Sequence, residues 1–324
     1  MPSSVSADPQ IEVAVDAART LRREQGWDPE DPLPCAVRMA EDHLGLDVVV
    51  TRLPQPVSGA YLPRPRRGLI LVNGTHAVVR QRFTVAHEVG HHVLGHGAAP
   101  RLLSRAAAET IPQPGEALAT PEGESPSAVP VVASVGPAAH GSTRTEHDDR
   151  RAAGAATHGV APTPADRGAV QEAQANAFAA ELLAPATAVR SFVRRYAAAG
   201  PDGAPSIDFD LVVRLSCAYG ISALSTLTRL GTVGLLTDDV ARGALRARVD
   251  AGEHVPRYKD QGLIALEDEL QEIERLGVLP RVPEGTDGRL LEALLDPTVI
   301  IPDGRTAAGI AKLRQMLGFA PAVP

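Results

Sequence analysis

Residues 82–96, RFTVAHEVGHHVLGH, constrain the fold and function of this chain more than any other stretch. They contain His87 and His91 four residues apart, with Glu88 directly after the first histidine. On an α-helix, residues i and i+4 share a face, so both imidazoles can point at one metal ion. Glu88 lies one residue round the helix, where its carboxylate can take a proton from a water at the metal. The spacing predicts the helix of a zinc hydrolase.

Chance and a metal-free histidine cluster are the alternative explanations of this motif. In a chain with 10 histidines, the pattern HExxH would arise by chance about 0.02 times. Apolar residues at helical spacing predict that one side of this helix is buried. Because buried histidines without a metal would be costly to satisfy, a metal site is the better interpretation.

A third metal ligand is expected on a second helix, in the segment from Ala169 to Pro185. Glu172 and Asn176 lie four residues apart there, on one face. Zinc held by two histidines of one helix commonly takes a glutamate from another, which favours Glu172, although a glutamate on a helix surface is also commonplace. Asn176 can hydrogen-bond the far nitrogen of a ligating imidazole and fix its tautomer.

Other candidate ligands fit less well. The metzincin pattern needs glycine at position 94 and histidine at position 97, where this chain has Leu94 and Gly97. His96 lies five residues after His91 and is expected to turn away from the shared histidine face. Glu181 is predicted to be a solvated helix residue.

The predicted fold class is α+β and mostly helical, with a small N-terminal β-sheet leading into the helix of His87. Such a sheet can form one wall of a cleft and present an edge strand to an extended peptide. The periodicities predict helices at 11–24 and 34–43, and strands at 47–52, 59–62 and 68–73.

Residues 97–167 are dominated by small and polar residues without a lasting hydrophobic period, which predicts a disordered insertion. Residues 201–236 outline a helix-turn-helix, with a tight turn at Tyr219 and Gly220. Its second helix offers only Arg229 to DNA, so we expect it to serve as packing support and expect no direct nucleic-acid binding. Beyond it, helices are expected at 238–249, 263–276, 289–295 and 307–317.

Composition excludes several classes of protein. A formal net charge of −7 argues against general nucleic-acid affinity. Cys35 and Cys217 are too few and too far apart for a disulfide framework. The polar amino terminus lacks the apolar core of a secretory signal, and no run approaches the roughly 18 apolar residues of a membrane span. We therefore expect a cytoplasmic protein with no membrane partner.

The segment RQRFTVAHEVGHH, preceded by GLILVN and followed after a gap by EAQANAFAAELLAP, resembles the ImmA/IrrE family of zinc metallopeptidases. The resemblance implies a zincin-like domain with Zn²⁺ as cofactor, with His87, His91 and Glu172 as zinc ligands and Glu88 as the catalytic glutamate. It also implies a specific protein substrate, with a helix-turn-helix repressor as the candidate, cut to switch on genes of a mobile element or a stress response. Ala184 stands where the family often has methionine, which should affect packing more than chemistry.

We therefore expect an N-terminal helix region at 1–30, a metallopeptidase domain at 31–200, the helix-turn-helix-like segment and a C-terminal helical region at 237–324. Tyr61, His92 and His96 are candidates for stabilising the tetrahedral oxyanion. Two other functions stay open. One is a regulatory module that binds a repressor or DNA without cleavage, and the other is a structural zinc domain. Neither has a need for Glu88.

Overall fold

A computed structural model describes residues 8–53, 57–64, 67–96, 101–104, 164–200, 203–261 and residue 311. The fold is mixed α+β with a small N-terminal sheet, which confirms the predicted class. The helices are α1 (Pro9–Glu24), α2 (Ala36–Arg38), α3 (Val78–Val93), α4 (Pro164–Leu183), α5 (Ala186–Tyr196), α6 (Phe209–Tyr219), α7 (Ala223–Thr232), α8 (Asp239–Asp250) and α9 (His254–Gln261). The strands are β1 (Asp47–Thr51), β2 (Val57–Leu62), β3 (Leu69–Asn73), β4 (Arg101–Ser104), β5 (Ala198–Ala199) and β6 (Pro205–Ser206).

Helix α1 begins and packs as its sequence predicts. The Asp8 carboxylate accepts a hydrogen bond from the backbone N–H of Gln10, and a proline occupies the start of the helix. Ala14, Ala18 and Leu21 form one buried stripe at helical spacing. This stripe packs α1 against α4, the helix that carries Glu172.

The four-stranded sheet has the order β1-β3-β2-β4. Strands β1 and β3 pair in parallel, whereas β2 runs antiparallel to both of its neighbours. Strands β1, β2 and β3 are buried along their whole length. They confirm the three predicted strands to within two residues, and α3 follows them as expected.

The structure describes elements at both ends of the predicted insertion. Residues 101–104 form β4, which pairs with β2 through Gly59 and Leu103 and through Ala60 and Leu102. A short segment without a hydrophobic period of its own becomes ordered here because the edge of β2 supplies its backbone partners. At the other end, α4 begins at Pro164, before the expected boundary. Residues 105–163 lie outside the described part of the chain.

Helices α6 and α7 form the predicted helix-turn-helix outline and meet at 101°. Gly220 ends α6 in the left-handed conformation with φ of +62°, which a residue with a side chain adopts at a cost. The carboxylate of Asp208 caps α6, and the hydroxyl of Ser222 caps α7. Over the described stretches no single helix is long and apolar enough to cross a membrane, although this bent pair passes that test on length and composition when taken together.

Glu181 and Arg229 are buried together, which overturns the expectation of a solvated Glu181. Only 2% of the Glu181 side chain is exposed, because Arg229 of α7 and Arg19 of α1 both donate to its carboxylate. Arg229 also donates to the carbonyl of Ala184 at 2.8 Å. The guanidinium that the sequence offered to DNA is therefore occupied inside the protein, which fits the packing interpretation.

In the C-terminal region, α8 agrees with the predicted helix at 238–249. The helices expected at 263–276 and 289–295 lie outside the described residues, as does all but residue 311 of the last one.

Candidate metal centre

Helix α3 is anchored at its start by side chains that hold neighbouring backbone groups. Gln81 donates to the carbonyl of His76 at 2.7 Å. Arg82, only 2% exposed, donates to the carbonyls of Leu33 and Pro34 at 2.5 and 3.0 Å. These contacts fix the position of the helix one turn before the histidines.

Helices α3 and α4 approach each other most closely at Gly90. A Cβ atom on this glycine would lie 3.2 Å from the Cα of Ala175 and 3.1 Å from the ring of Phe178. The missing side chain lets the two backbones come together beside the histidines. The close approach brings Glu172 and Asn176 of α4 within reach of the imidazoles on α3.

His87, His91 and Glu172 converge on one point, as the sequence predicts. The Nε2 atoms of the two histidines are 3.0 Å apart. The Glu172 carboxylate lies 3.2 Å from Nε2 of His87 through Oε2 and 3.4 Å from Nε2 of His91 through Oε1. Within the described residues, this trio is the group of histidine and carboxylate side chains that can hold a metal ion, with its ligand atoms within 4.8 Å of one another.

These separations fit a tetrahedral metal ion. With metal–ligand bonds of about 2.0–2.1 Å, two ligand atoms of a tetrahedron are about 3.3–3.4 Å apart. The Nε2–Nε2 distance lies within a few tenths of an ångström of that value, and the Glu172 carboxylate faces both histidines, with Oε2 toward His87 and Oε1 toward His91. Three protein ligands leave one coordination position open, as catalytic sites do and closed structural sites do not.

Asn176 lies behind His87, where the sequence predicts it. Its Oδ1 atom is 2.9 Å from Nδ1 of His87. An amide oxygen only accepts hydrogen bonds, so Nδ1 carries the proton. Nε2 then presents its lone pair to the point shared with His91 and Glu172, which is the tautomer that a metal requires.

Burial sets the charge of His91. The side chain is 1% exposed, and desolvation together with the neighbouring His87 and His96 lowers the pKa of His91 to about 4, despite its contact with Glu172. Burial raises the pKa of Glu172, but hydrogen bonds and charge interactions with the two histidines outweigh it and leave that pKa below its ordinary range. At neutral pH the site thus offers a neutral imidazole and a carboxylate, both ready to bind a cation.

Glu88 faces the sheet rather than α4. Its side chain is fully buried, and a Cβ atom on Gly59 of β2 would lie 3.4 Å from its Oε1 atom. The carboxylate therefore sits between α3 and β2, one residue round the helix from His87. The role of Glu88 as the proton acceptor at the metal stays a prediction.

The three oxyanion candidates occupy two different places. The hydroxyl of Tyr61, on β2, lies 2.8 Å from Nδ1 of His92. Burial raises the pKa of Tyr61 and lowers that of His92, so both are neutral at neutral pH. His96 instead lies behind His91, with its Nδ1 atom 3.0 Å from Nδ1 of that residue.

The sequence analysis missed two residues that shape this centre. Gly90 allows the close crossing of the helices, and Gln174 contacts Nε2 of His96 at 3.0 Å. A glycine in the middle of an otherwise strong helix was the signal for the first. Gln174 gave none, because it lies between Glu172 and Asn176 in sequence but on another side of the helix.

Comparison with known families agrees with this geometry. Residues 41–120 match the family model Peptidase_M78, described as the IrrE N-terminal-like domain. The match includes His87, Glu88 and His91 and ends before α4. A comparison with curated proteins found no match. The family suggests a metallopeptidase, and its match supports membership of the ImmA/IrrE family, to which the motifs around His87 are similar.

Proposed function

We propose that this protein is a zinc-dependent metallo-endopeptidase of the ImmA/IrrE type. The observation that carries the proposal is the convergence of His87, His91 and Glu172 from two helices, with Glu88 on the neighbouring face of α3. Two histidines and one glutamate are a donor set typical of catalytic zinc. We assign residues 31–200 to the proposed metallopeptidase domain and infer a zincin-like fold for it, in which the sheet and α4 lie on either side of the helix of His87.

The chemistry divides between the ion and the chain. His87, His91 and Glu172 would hold the zinc ion, which would act as a Lewis acid able to polarise a scissile carbonyl and to lower the pKa of a bound water to about 7. Glu88 accepts the proton of the attacking water and delivers it to the leaving amine. Its carboxylate is buried beside β2. Asn176 holds His87 in the binding tautomer.

The proposed substrate is a specific protein, and a helix-turn-helix repressor is the candidate that the family resemblance suggests. Cleavage of such a repressor would switch on the genes it controls. Direct DNA binding by α7 is not part of the proposal, because Arg229, its one candidate for phosphate contact, is buried against Glu181.

The test compares the wild type with Glu88→Gln. We expect about one zinc per chain in both proteins, because Glu88 is not a proposed ligand. Protein extract of the source cells is incubated with each, and new amino termini are identified by mass spectrometry. We expect fragments with the wild type and none with Glu88→Gln, because the amide cannot accept the proton.

Two controls separate catalysis from folding. Glu253→Gln, at an exposed position after α8 and outside the proposed metallopeptidase domain, makes the same chemical change and should keep full activity. Glu172→Gln should lose zinc as well as cleavage. Equal cleavage by wild type and Glu88→Gln would reject the proposed mechanism. Capture of a repressor by both proteins without cleavage by either would favour a regulatory binding module.

A further inference from the structure

A line of hydrogen bonds leads away from His91 to the N-terminal helix. Nδ1 of His91 lies 3.0 Å from Nδ1 of His96, and Nε2 of His96 lies 3.0 Å from Oε1 of Gln174. The side-chain nitrogen of Gln174 donates to the backbone carbonyl of Gln10 at 3.0 Å. The line therefore joins α3, α4 and the first turn of α1.

The donor and acceptor roles along this line follow from its far end. The carbonyl of Gln10 only accepts, so the Gln174 amide turns its NH₂ group toward it and its oxygen toward His96. That oxygen also only accepts, so the proton of His96 sits on Nε2 and its Nδ1 presents a lone pair. His91 must then donate from Nδ1, which leaves the lone pair of its Nε2 for the metal.

The backbone holds His96 in this position. Gly95 takes a positive φ of +67°, which turns the chain back after α3, and the backbone N–H of His96 donates to the carbonyl of His91 at 3.0 Å. His96 is 8% exposed, so its ring is largely shielded from competing water. Asn176 acts in the same way on His87, so each histidine of the centre has a partner behind it.

We propose that His96 and Gln174 are positioning residues of the metal centre: together they hold His91 in the tautomer and orientation that binds the ion. The inference rests on the proposed function, since it requires a metal at His87, His91 and Glu172. It adds that the first turn of α1, through Gln174, helps to set the binding state of a residue on α3.

The test measures zinc affinity by competition with a chelator, and the thermal unfolding of each metal-free protein. His96→Leu removes the acceptor behind His91 and should raise the Kd for zinc by about 10- to 100-fold. His96→Asn keeps an acceptor, because an amide oxygen can stand where Nδ1 stands, and should stay within about threefold of the wild type. Gln174→Leu should raise the Kd by about tenfold, because His96 is then free to adopt the other tautomer.

A double variant separates the effect of this line of hydrogen bonds on zinc binding from the effect of packing. The amide oxygen of an asparagine is a hydrogen-bond acceptor whether or not Gln174 is present. Gln174→Leu should therefore have no further effect in the H96N background. An equal effect of Gln174→Leu on the Kd in the wild type and in H96N would overturn the proposed positioning role. An unchanged Kd in both His96→Leu and Gln174→Leu would overturn it as well.

The outcomes also separate this inference from the proposed function. Zinc binding by the wild type with no loss in either leucine variant would reject the positioning role alone. A wild type that binds no zinc would reject both. Should His96→Leu fail to fold, Gln174→Leu still decides the question, because its side chain is only half-buried.

Discussion

Substitutions of Asn176 test the metal centre without changing a proposed metal ligand. Its Oδ1 atom accepts from Nδ1 of His87, so Asn176→Leu removes the group that fixes the tautomer of that histidine. We expect the Kd for zinc to rise by about 10- to 100-fold, measured by chelator competition. Asn176→Asp is the matched variant, because a carboxylate oxygen also accepts, and it should keep binding close to that of the wild type. A similar loss in both variants would show that size rather than hydrogen bonding matters at this position.

At the residue scale, helical spacing predicted the side chains that share one face of a helix, including Asn176, and missed the contacts of His96 and Gln174. His87 with His91, and Glu172 with Asn176, are pairs four residues apart, and helix geometry alone puts each pair on one face. The contact of His96 with His91 depends on the turn at Gly95, and that of Gln174 depends on where α1 docks. Such long-range placement leaves no periodic signal in the chain.

At the scale of elements, the approach of α3 to β2 depends on Gly59. A Cβ atom there would lie 2.8 Å from the carbonyl oxygen of Leu71 and still closer to the methyl group of Thr84. Gly59→Ala must push the strand away from the helix, so we expect a loss of about 1–3 kcal/mol in the free energy of unfolding, measured with urea. Because Glu88 lies against the same glycine, cleavage activity should fall as well.

The matched change is Gly243→Ala in the middle of α8. Nothing lies within 4 Å of a Cβ atom at that glycine. Alanine loses less backbone entropy than glycine when it enters a helix, so the free energy of unfolding of this variant should rise by about 0.5–1 kcal/mol. Replacing glycine with alanine should therefore lower the free energy of unfolding at position 59 and raise it at position 243. A gain in stability from Gly59→Ala would contradict the close packing of α3 on β2.

Most elements could be predicted because their patterns are local. The buried strands are short apolar runs, α1, α3 and α4 have helical spacing, and prolines stand at the starts of α1 and α4. The predicted helix at 34–43 is α2 followed by a π-helical segment, Met39–His43, and no local residue signals the wider turn. Strand β4 forms by pairing with β2, and the sequence pattern of residues 101–104 alone does not encode that pairing.

At the scale of the molecule, the metal should act as a link between parts of the chain that are distant in sequence. Its proposed ligands come from α3 and α4, whose packing forms the centre. An ion that binds only the folded state adds about 4 kcal/mol when its free concentration is a thousand times the Kd. We therefore expect a chelator to lower the melting temperature of the wild type and of Glu88→Gln alike, measured by calorimetry. Glu172→Gln should respond much less, and an equal response would place the ion elsewhere.

Glu181 joins four helices and should make stability depend on pH. It accepts from Arg19 of α1 and Arg229 of α7, and it lies 3.4 Å from the backbone N–H of Ala186 at the start of α5. Burial raises the pKa of Glu181, but the two arginines outweigh it and hold that pKa below the ordinary value of 4.5. A lowered pKa in the folded state stabilises the protein above the unfolded pKa, and this contribution is lost as the pH falls through the folded value.

Glu181→Gln should therefore cost most at neutral pH. It leaves the buried guanidinium of Arg229 without its counter-charge, for which we expect a loss of about 3–5 kcal/mol in the free energy of unfolding at pH 7. The loss should be constant above about pH 5 and shrink as the pH falls below 4.5, because the unfolded wild type then binds a proton at this carboxyl while the folded protein binds it only at a lower pH. Urea unfolding of both proteins between pH 3 and pH 7 measures this. Asp250→Asn, which breaks an exposed pair with Arg246, should cost less than about 1 kcal/mol. A Glu181→Gln loss of equal size at pH 3 and pH 7 would mean that shape, not charge, holds these helices together.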